Sequence, residues 1–468
     1  MSRLFVVSNR VAYPGAAQAG GLAVALHSVL KQRRGVWFGW SGESGEAPPR
    51  VQIGDGIRFC LLDLPEQEFE GYYHGFANRA LWPLLHYRVD LIHFDRGEYA
   101  QYLAVNDRFA DALARELRGD DEVWVHDYHL IPLARALRAR GQSQRMGFFL
   151  HIPLPSWDVL CMLPDHREVF SALAEYDLIG VQTEADADNL RRYFDTMGID
   201  TRACVIDAFP IGIDAAQVAR DAVAASGREA VASLRRSLAD RRLAIGVDRL
   251  DYSKGLPERF QAFGTYLDHH PADVGQLTYL QIAPPSREDV PEYRALREDL
   301  ERVAGHINGR LARPDWTPIR YVNHCYPHDV LAGFYRAADL ALVTPLRDGM
   351  NLVAKEYVAA QDPRDPGVLI LSRFAGAALE LTDALLVNPH DTDDMADAIA
   401  RARAMPKAER VERWLALYET LRSNGIAAWA QSFLARLHKE SQPAPGALPR
   451  LPIPMSAALL PVSDGALS

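Results

Sequence analysis

A chain of 468 residues with 48% hydrophobic content exceeds what one hydrophobic core serves, so two domains are expected. The formal net charge of -10 argues against a nucleic-acid backbone as main partner, and 4 scattered cysteines without a CxxC pair argue against a disulfide framework or a zinc site. The apolar run Leu4–Val7 is too short for a signal-peptide core and no later run approaches a membrane span, so a cytoplasmic protein with no membrane partner is expected.

Short apolar runs alternate with helical patterns along the whole chain. Strands are expected at Leu4–Val7, Glu122–Val125, Gly147–His151 and Leu178–Gln182, then at Leu243–Val247, Thr278–Ile282, Ile319–Val322, Leu340–Thr344, Val368–Leu371 and Leu385–Val387. Between them, segments such as Asp107–Leu117 and Leu130–Arg140 carry Leu and Ala at helical spacing with Arg and Glu between, as amphipathic helices do. Repeated βα units give an α/β fold with parallel sheets covered on both faces. A polar stretch from about Arg220 to Arg242 separates an early set of units from a later one and reads as the domain junction. After Lys439 the composition turns proline-rich, and a disordered tail over 441–468 is expected.

Several loops after strands carry candidate chemistry. VVSNR precedes the glycine loop AQAGGLAVAL, which makes Arg10, Gly20 and Gly21 candidates for phosphate contacts; a surface Arg beside a plain turn is the alternative. Neither GxGxxG opening a helix nor GxxxxGK[ST] is present, which disfavours a dinucleotide or P-loop site. Trp37 and Trp40, then Tyr73 and Trp82, suit either the apolar face of a pyranose or the core. Asp127, flanked by His126 and His129 after a strand, could hold sugar hydroxyls, cap a helix or join a metal site. His151 ends the next strand, as a catalytic group or a structural hydrogen-bonder.

In the second half, Arg249 and Lys254 share a loop and could neutralise a leaving diphosphate, or pair with Asp248, Asp251 and Glu258. Arg287 sits at a loop mouth after a strand. The DxD-like pairs Asp186–Asp188 and Asp391–Asp393 lie in a helical pattern and a late loop and are not read as metal sites. VTPLRDGMNLVAKE, Val343–Glu356, is a strand-to-helix elbow whose helix N-terminus favours an anion, with Glu356 placed to accept hydrogen bonds from a ribose diol.

These motifs together, SNR…AGGLA, WFGWSG, LWPLLHYR, WVHDYHL, FFLHIPLPS, RLDYSKGLPERF and TPLRDGMNLVAKEYVAAQ, resemble the trehalose-6-phosphate synthase family of retaining glycosyltransferases from Met1 to about His438. The resemblance implies a GT-B fold, with two Rossmann-like parallel-sheet domains facing a central cleft. Residues 1–230, completed by a helix near 425–438, would bind the acceptor, and residues 240–424 the nucleotide sugar. By the same resemblance Arg10, Tyr73, Trp82 and Arg287 hold glucose 6-phosphate, and Asp127 holds its sugar hydroxyls. Gly20 and Gly21 close over the donor, Arg249 and Lys254 meet its diphosphate, and His151 and Asp348 contact its glucose. Gly349, Met350 and Asn351 lead into Leu352, Val353, Ala354, Lys355 and Glu356, the segment for diphosphate and ribose, while Tyr326 falls where the base is contacted. Asp127, His151, Arg249, Lys254 and Asp348 are the implied catalytic set. A nucleotide-glucose donor, with UDP-glucose preferred and GDP- and ADP-glucose left open by the sequence, and glucose 6-phosphate are the expected partners, with no metal or other cofactor required and a homo-oligomer expected. A relative with another acceptor such as glycerol 3-phosphate, or a silent regulatory subunit, are the alternatives.

Overall fold

The computed structural model describes residues 3–13, 21–286 and 290–439; Gly20, Arg287 and the tail 441–468 lie outside them. The first sheet is built from β1 (Leu4–Arg10), β2 (Val36–Ser44), β3 (Arg50–Gly54), β4 (Ile57–Leu64), β5 (Glu122–His126), β6 (Arg145–Phe149), β7 (Leu178–Val181) and β8 (Val205–Ala208). Their order is β3-β4-β2-β1-β5-β6-β7-β8, parallel throughout except for the antiparallel β3–β4 edge. The second sheet comprises β9 (Arg242–Val247), β10 (Leu277–Ile282), β11 (Ile319–Val322), β12 (Leu340–Val343), β13 (Val368–Ser372) and β14 (Leu385–Val387). It is wholly parallel in the order β11-β10-β9-β12-β13-β14, the doubly wound order of a dinucleotide-binding sheet.

Each strand expected from the sequence is present, with ends shifted by at most three residues. β2, β3, β4 and β8 were not anticipated. β2 is interrupted by Gly39 and Gly42, β3 is an edge strand with three exposed residues in a row, and β8 is a short VIDA run, whereas β4 does carry a buried apolar run, Phe59–Leu62. Gly39 is required where β2 meets β1, since a Cβ there would stand 2.2 Å from the Ser8 carbonyl oxygen.

The stretch Arg220–Arg242 lies between the last strand of the first sheet and the first of the second and is mostly helical, through Ala215–Ala225 and Glu229–Leu238. The first of these helices packs on His328–Ala337 and Leu352–Ala360, within the layer that covers the second sheet. Its charged residues face solvent while Ala215, Val218, Ala222 and Ala225 are buried, which is why the segment looks polar on inspection.

The chain returns to the first sheet at its end. Helix Ile426–His438 lays Phe433 against Gly147 and Gly180, where a Cβ would approach its ring to 2.7 and 2.8 Å, and stacks it on Trp124 at 4.6 Å. The two chain crossings touch: Ile426 N–H donates to the Ile213 carbonyl at 3.3 Å, and a Cβ on Gly212 would meet the Asn424 carbonyl oxygen at 1.9 Å. One continuous apolar cluster runs from Val6 and Trp37 through Ile211 and Ile213 to Leu243 and Val343, so the two domains share buried surface at the crossing. Among the described residues no helix is long and apolar enough to cross a membrane.

Candidate active site

Strand order reverses direction between β1 and β5 in the first sheet and between β9 and β12 in the second. Ligands of open α/β sheets bind at such switch points, beyond the carboxyl ends of the strands. Arg10 ends β1, Asp127 follows β5, the Asp248–Gly255 loop follows β9, and the Thr344–Asn351 loop follows β12. The two sets meet across a cleft. Gly349 lies so close to the first domain that a Cβ would be 2.2 Å from the His151 carbonyl oxygen, and the Arg249 guanidinium lies 5.6 Å from the Trp82 ring centre.

On the first-domain side, the exposed Arg10 guanidinium rests over the Trp40 ring at 5.5 Å and has no carboxylate partner among the described residues. Tyr73 sits in the π-helical stretch Glu70–Leu81, half-buried, its ring parallel to that of His129 at 5.6 Å. Wide π-turns recur at functional sites. Trp37, Trp40 and Trp82 are all buried; Trp37 serves the core, whereas the Trp82 indole donates across the cleft to Asp251 Oδ1 at 3.4 Å. Asp127 has φ 76 and ψ 163, a strained backbone for a residue with a Cβ, of the kind that concentrates at functional sites. Its carboxylate accepts from the His151 N–H at 3.3 Å and does not cap the turn Tyr128–Leu130, so the capping alternative is overruled.

On the second-domain side, Lys254 Nζ bonds Asp348 Oδ2 at 2.6 Å, and Asn351 Nδ2 donates to the same oxygen at 3.1 Å. Asn351 adopts φ 76 and caps helix Leu352–Ala360 by accepting from Ala354 N–H at 3.3 Å. The N–H groups of Leu352 and Val353, in the first turn, have no acceptor within the helix and point towards its N-terminal end, where the dipole favours an anion. Met350 is buried, and its carbonyl holds Ala377 N–H at 2.9 Å. Glu356 receives the His328 ring nitrogen at 3.2 Å, and that contact raises the His328 pKa above its ordinary value. Tyr326 is half-buried and packs edge-on against Phe334.

Lys355 stands apart from its neighbours. Its ammonium is buried and committed to Glu380 at 2.5 Å and the Ile211 carbonyl at 2.7 Å, while Glu380 also accepts from Asn424 Nδ2 at 2.9 Å. Its side chain thus ties the donor-side helix to both chain crossings, leaving only its backbone for a ligand. Gly21 opens helix Gly21–Arg33. Gly20 and Arg287 are outside the described residues.

Sequence reasoning overlooked several groups beneath these loops. Arg259, fully buried, ion-pairs with Asp248 at 2.7 Å, donates to Thr344 Oγ1 at 3.0 Å and Gln281 Oε1 at 3.0 Å, and holds the Lys254 carbonyl at 3.1 Å. One guanidinium therefore joins β9, β10 and the loop after β12 under the Lys254 turn. Its signal was an Arg at an otherwise apolar helix position between Leu256 and Phe260. Of the DxD-like pairs, Asp186 anchors Leu154 N–H at 2.9 Å and Asp391 caps helix Thr392–Ala404. Among the described residues no group of three or more His, Cys, Asp or Glu is arranged around a metal position.

Two parallel-sheet α/β domains meeting at their switch points form the GT-B architecture. The glycosyltransferase family 20 model matches residues 4–439. Over 460 residues the chain is 49% identical to a trehalose-6-phosphate synthase of Sinorhizobium fredii, covering 94% of this chain and 99% of that one. The crystal structure of a UDP-forming α,α-trehalose-phosphate synthase from Burkholderia vietnamiensis has a TM-score of 0.91 at 51% identity, covering 93% of this chain and 98% of that one. A Burkholderia xenovorans relative solved in complex with glucose-6-phosphate has a TM-score of 0.91 at 46% identity, covering 94% of this chain and 100% of that one. The chain belongs to glycosyltransferase family 20.

Proposed function

We propose that this enzyme transfers glucose from UDP-glucose to the anomeric hydroxyl of glucose 6-phosphate, with retention, giving α,α-trehalose 6-phosphate and UDP. The observation that carries the reading is the convergence of Arg249, Lys254 and the N-terminus of helix Leu352–Ala360 opposite Asp127 and His151. Cations and a helix dipole on one wall suit a leaving nucleoside diphosphate, while Asp127 on the other suits acceptor hydroxyls. The relatives named above, UDP-forming or bound to glucose-6-phosphate, support the choice of substrates.

No enzymatic nucleophile is needed. As the bond from the glucose C1 to the diphosphate oxygen breaks, the acceptor hydroxyl attacks C1 from the same face and gives its proton to the departing diphosphate oxygen. Lys254 leaves Asp348 for that diphosphate, and Arg249 shares the developing charge, so the positive charge at the leaving group comes from side chains and no divalent ion is called for. Arg10, Tyr73, Trp82 and Arg287 hold the acceptor phosphate end, and Glu356 the ribose diol.

An acceptor screen tests the reading. With UDP-glucose, glucose 6-phosphate should yield a disaccharide phosphate, glycerol 3-phosphate and free glucose should not, and EDTA should leave the rate unchanged. Turnover with glycerol 3-phosphate instead would move the protein to another acceptor class, and donor binding without any transfer would make it a regulatory subunit.

A further inference from the structure

His126 ends β5 and His151 follows β6, and these strands pair in parallel with His126 opposite Phe149, so both imidazoles rise side by side at the floor of the cleft. His126 Nδ1 lies 3.0 Å from His151 Nε2. His126 is fully buried among Trp124 at 4.6 Å, Phe149 at 6.4 Å and Trp429 at 6.4 Å, whereas His151 is half-buried at the cleft. Burial drives the His126 pKa well below the usual imidazole value and holds that of His151 at about 3, so both rings are neutral at ordinary pH. One proton then lies between the two facing nitrogens.

Two arrangements satisfy that contact, and they differ in what His151 offers the cleft. If His126 Nδ1–H donates, His151 carries its own proton on Nδ1; if His151 Nε2–H donates, His151 Nδ1 is a bare acceptor. The outer nitrogen of His126, Nε2, decides between them, because it is buried and has no hydrogen-bond partner. In the first arrangement Nε2 is an unfilled acceptor, and in the second an orphaned N–H. The choice between them falls to the polar groups packed around the ring. The indole N–H groups of Trp124 and Trp429, packed against this ring and likewise buried without acceptors, add to a donor-rich surrounding that favours a lone pair there.

We infer that His126 is a positioning residue that fixes His151 as the Nδ1–H tautomer, so that His151 presents a hydrogen-bond donor to a hydroxyl oxygen of the donor sugar. His151 Nδ1 has no partner among the described residues, which leaves it available for that contact. The sugar contact rests on the proposed function; the tautomer does not. A neutral imidazole locked in this form cannot exchange donor for acceptor by ring flip, because Nε2 is held by His126.

The experiment is nitrogen-15 histidine NMR of the full-length enzyme without substrate, with the His151 signals assigned by their loss in His151→Asn. The expected result is a protonated Nδ1 and a bare Nε2 on His151 in the wild type, unchanged across neutral pH. His126→Asn, whose amide nitrogen can take the place of Nδ1, should keep that pattern, whereas His126→Phe should lose it. Transfer from UDP-glucose should follow: about tenfold lower kcat for His126→Phe, the loss of about one hydrogen bond, with most of it recovered in His126→Asn. A His151 proton on Nε2 in the wild type would overturn the inference, as would equal impairment of His126→Asn and His126→Phe when both retain wild-type circular dichroism. Absence of disaccharide phosphate from the wild type would count against the proposed function alone, since the tautomer is read without substrate.

Discussion

Lys254 illustrates how single residues are poised in this cleft. Its ammonium, paired with Asp348 at 2.6 Å and mostly shielded from solvent, is already neutralised and close to the helix N-terminus where a diphosphate would lie. Lys254→Ala should lower kcat by about 100-fold to 1000-fold with little effect on acceptor KM, as measured by UDP release. Arg10→Ala should do the reverse, raising KM for glucose 6-phosphate while leaving the binding of UDP, measured by calorimetry, unchanged. The pair His328–Glu356 carries a pH signature. Because the folded His328 pKa is raised, its contribution to stability is fully present below the unfolded value of about 6.5 and disappears as pH rises through the folded one. The Tm deficit of His328→Gln relative to wild type should therefore be larger at about pH 5.5 than at about pH 8.5. Legibility at this scale followed chemistry that sequence displays. Arg249, Lys254 and Glu356 stand in polar loops or just past a turn, whereas the partners of His126 and Arg259 lie on other strands and no local pattern names them.

Among the elements, the elbow between β12 and helix Leu352–Ala360 was readable because an apolar run, an Asp-Gly turn and helical spacing succeed one another within a few residues. What the sequence does not display is its support. Lys355, in the helix's first turns, looks like one more cation for a diphosphate but is turned inward onto Glu380 and the Ile211 carbonyl. Burial lowers its pKa, and removing it would strand a mostly buried carboxylate. Lys355→Met should cost about 3–5 kcal/mol in urea unfolding, with Glu380→Gln in the same background recovering part of it. β2 and β3 are hard to read for a related reason: their burial is set by neighbours, Ser8 against Gly39 and the edge position of β3, rather than by their own alternation, whereas the run Phe59–Leu62 of β4 is displayed in the sequence. The stretch Arg220–Arg242 falls between the last strand of the first sheet and the first of the second, but its helical content is not legible there because a half-exposed amphipathic helix and a polar linker share a composition.

At the level of the molecule, two doubly wound units are joined by touching chain crossings and a shared apolar cluster, with their switch points opposed. Alternating strand and helix patterns were enough to anticipate both parallel sheets, because parallel strands are buried on both faces and read as apolar runs. The molecule should also be acid-sensitive. His151 and His86 are held neutral by burial, with pKa values of about 3 and about 4, and His126 is depressed in the same direction. The unfolded chain takes up these protons near pH 6.5 and the folded chain does not, so stability should fall as pH drops from about 6.5 towards about 4 and below. Urea midpoints measured across that range check the sign; a midpoint that rose on acidification would oppose it.

The central claim, glucose transfer from UDP-glucose to the anomeric oxygen of glucose 6-phosphate with retention, is tested most directly by proton and carbon NMR of the product formed from donor labelled with carbon-13 at C1. The expected product is a single 1,1-linked disaccharide phosphate with both anomeric centres α, released together with UDP. A β configuration at the labelled carbon, or label found only in free glucose, would contradict it.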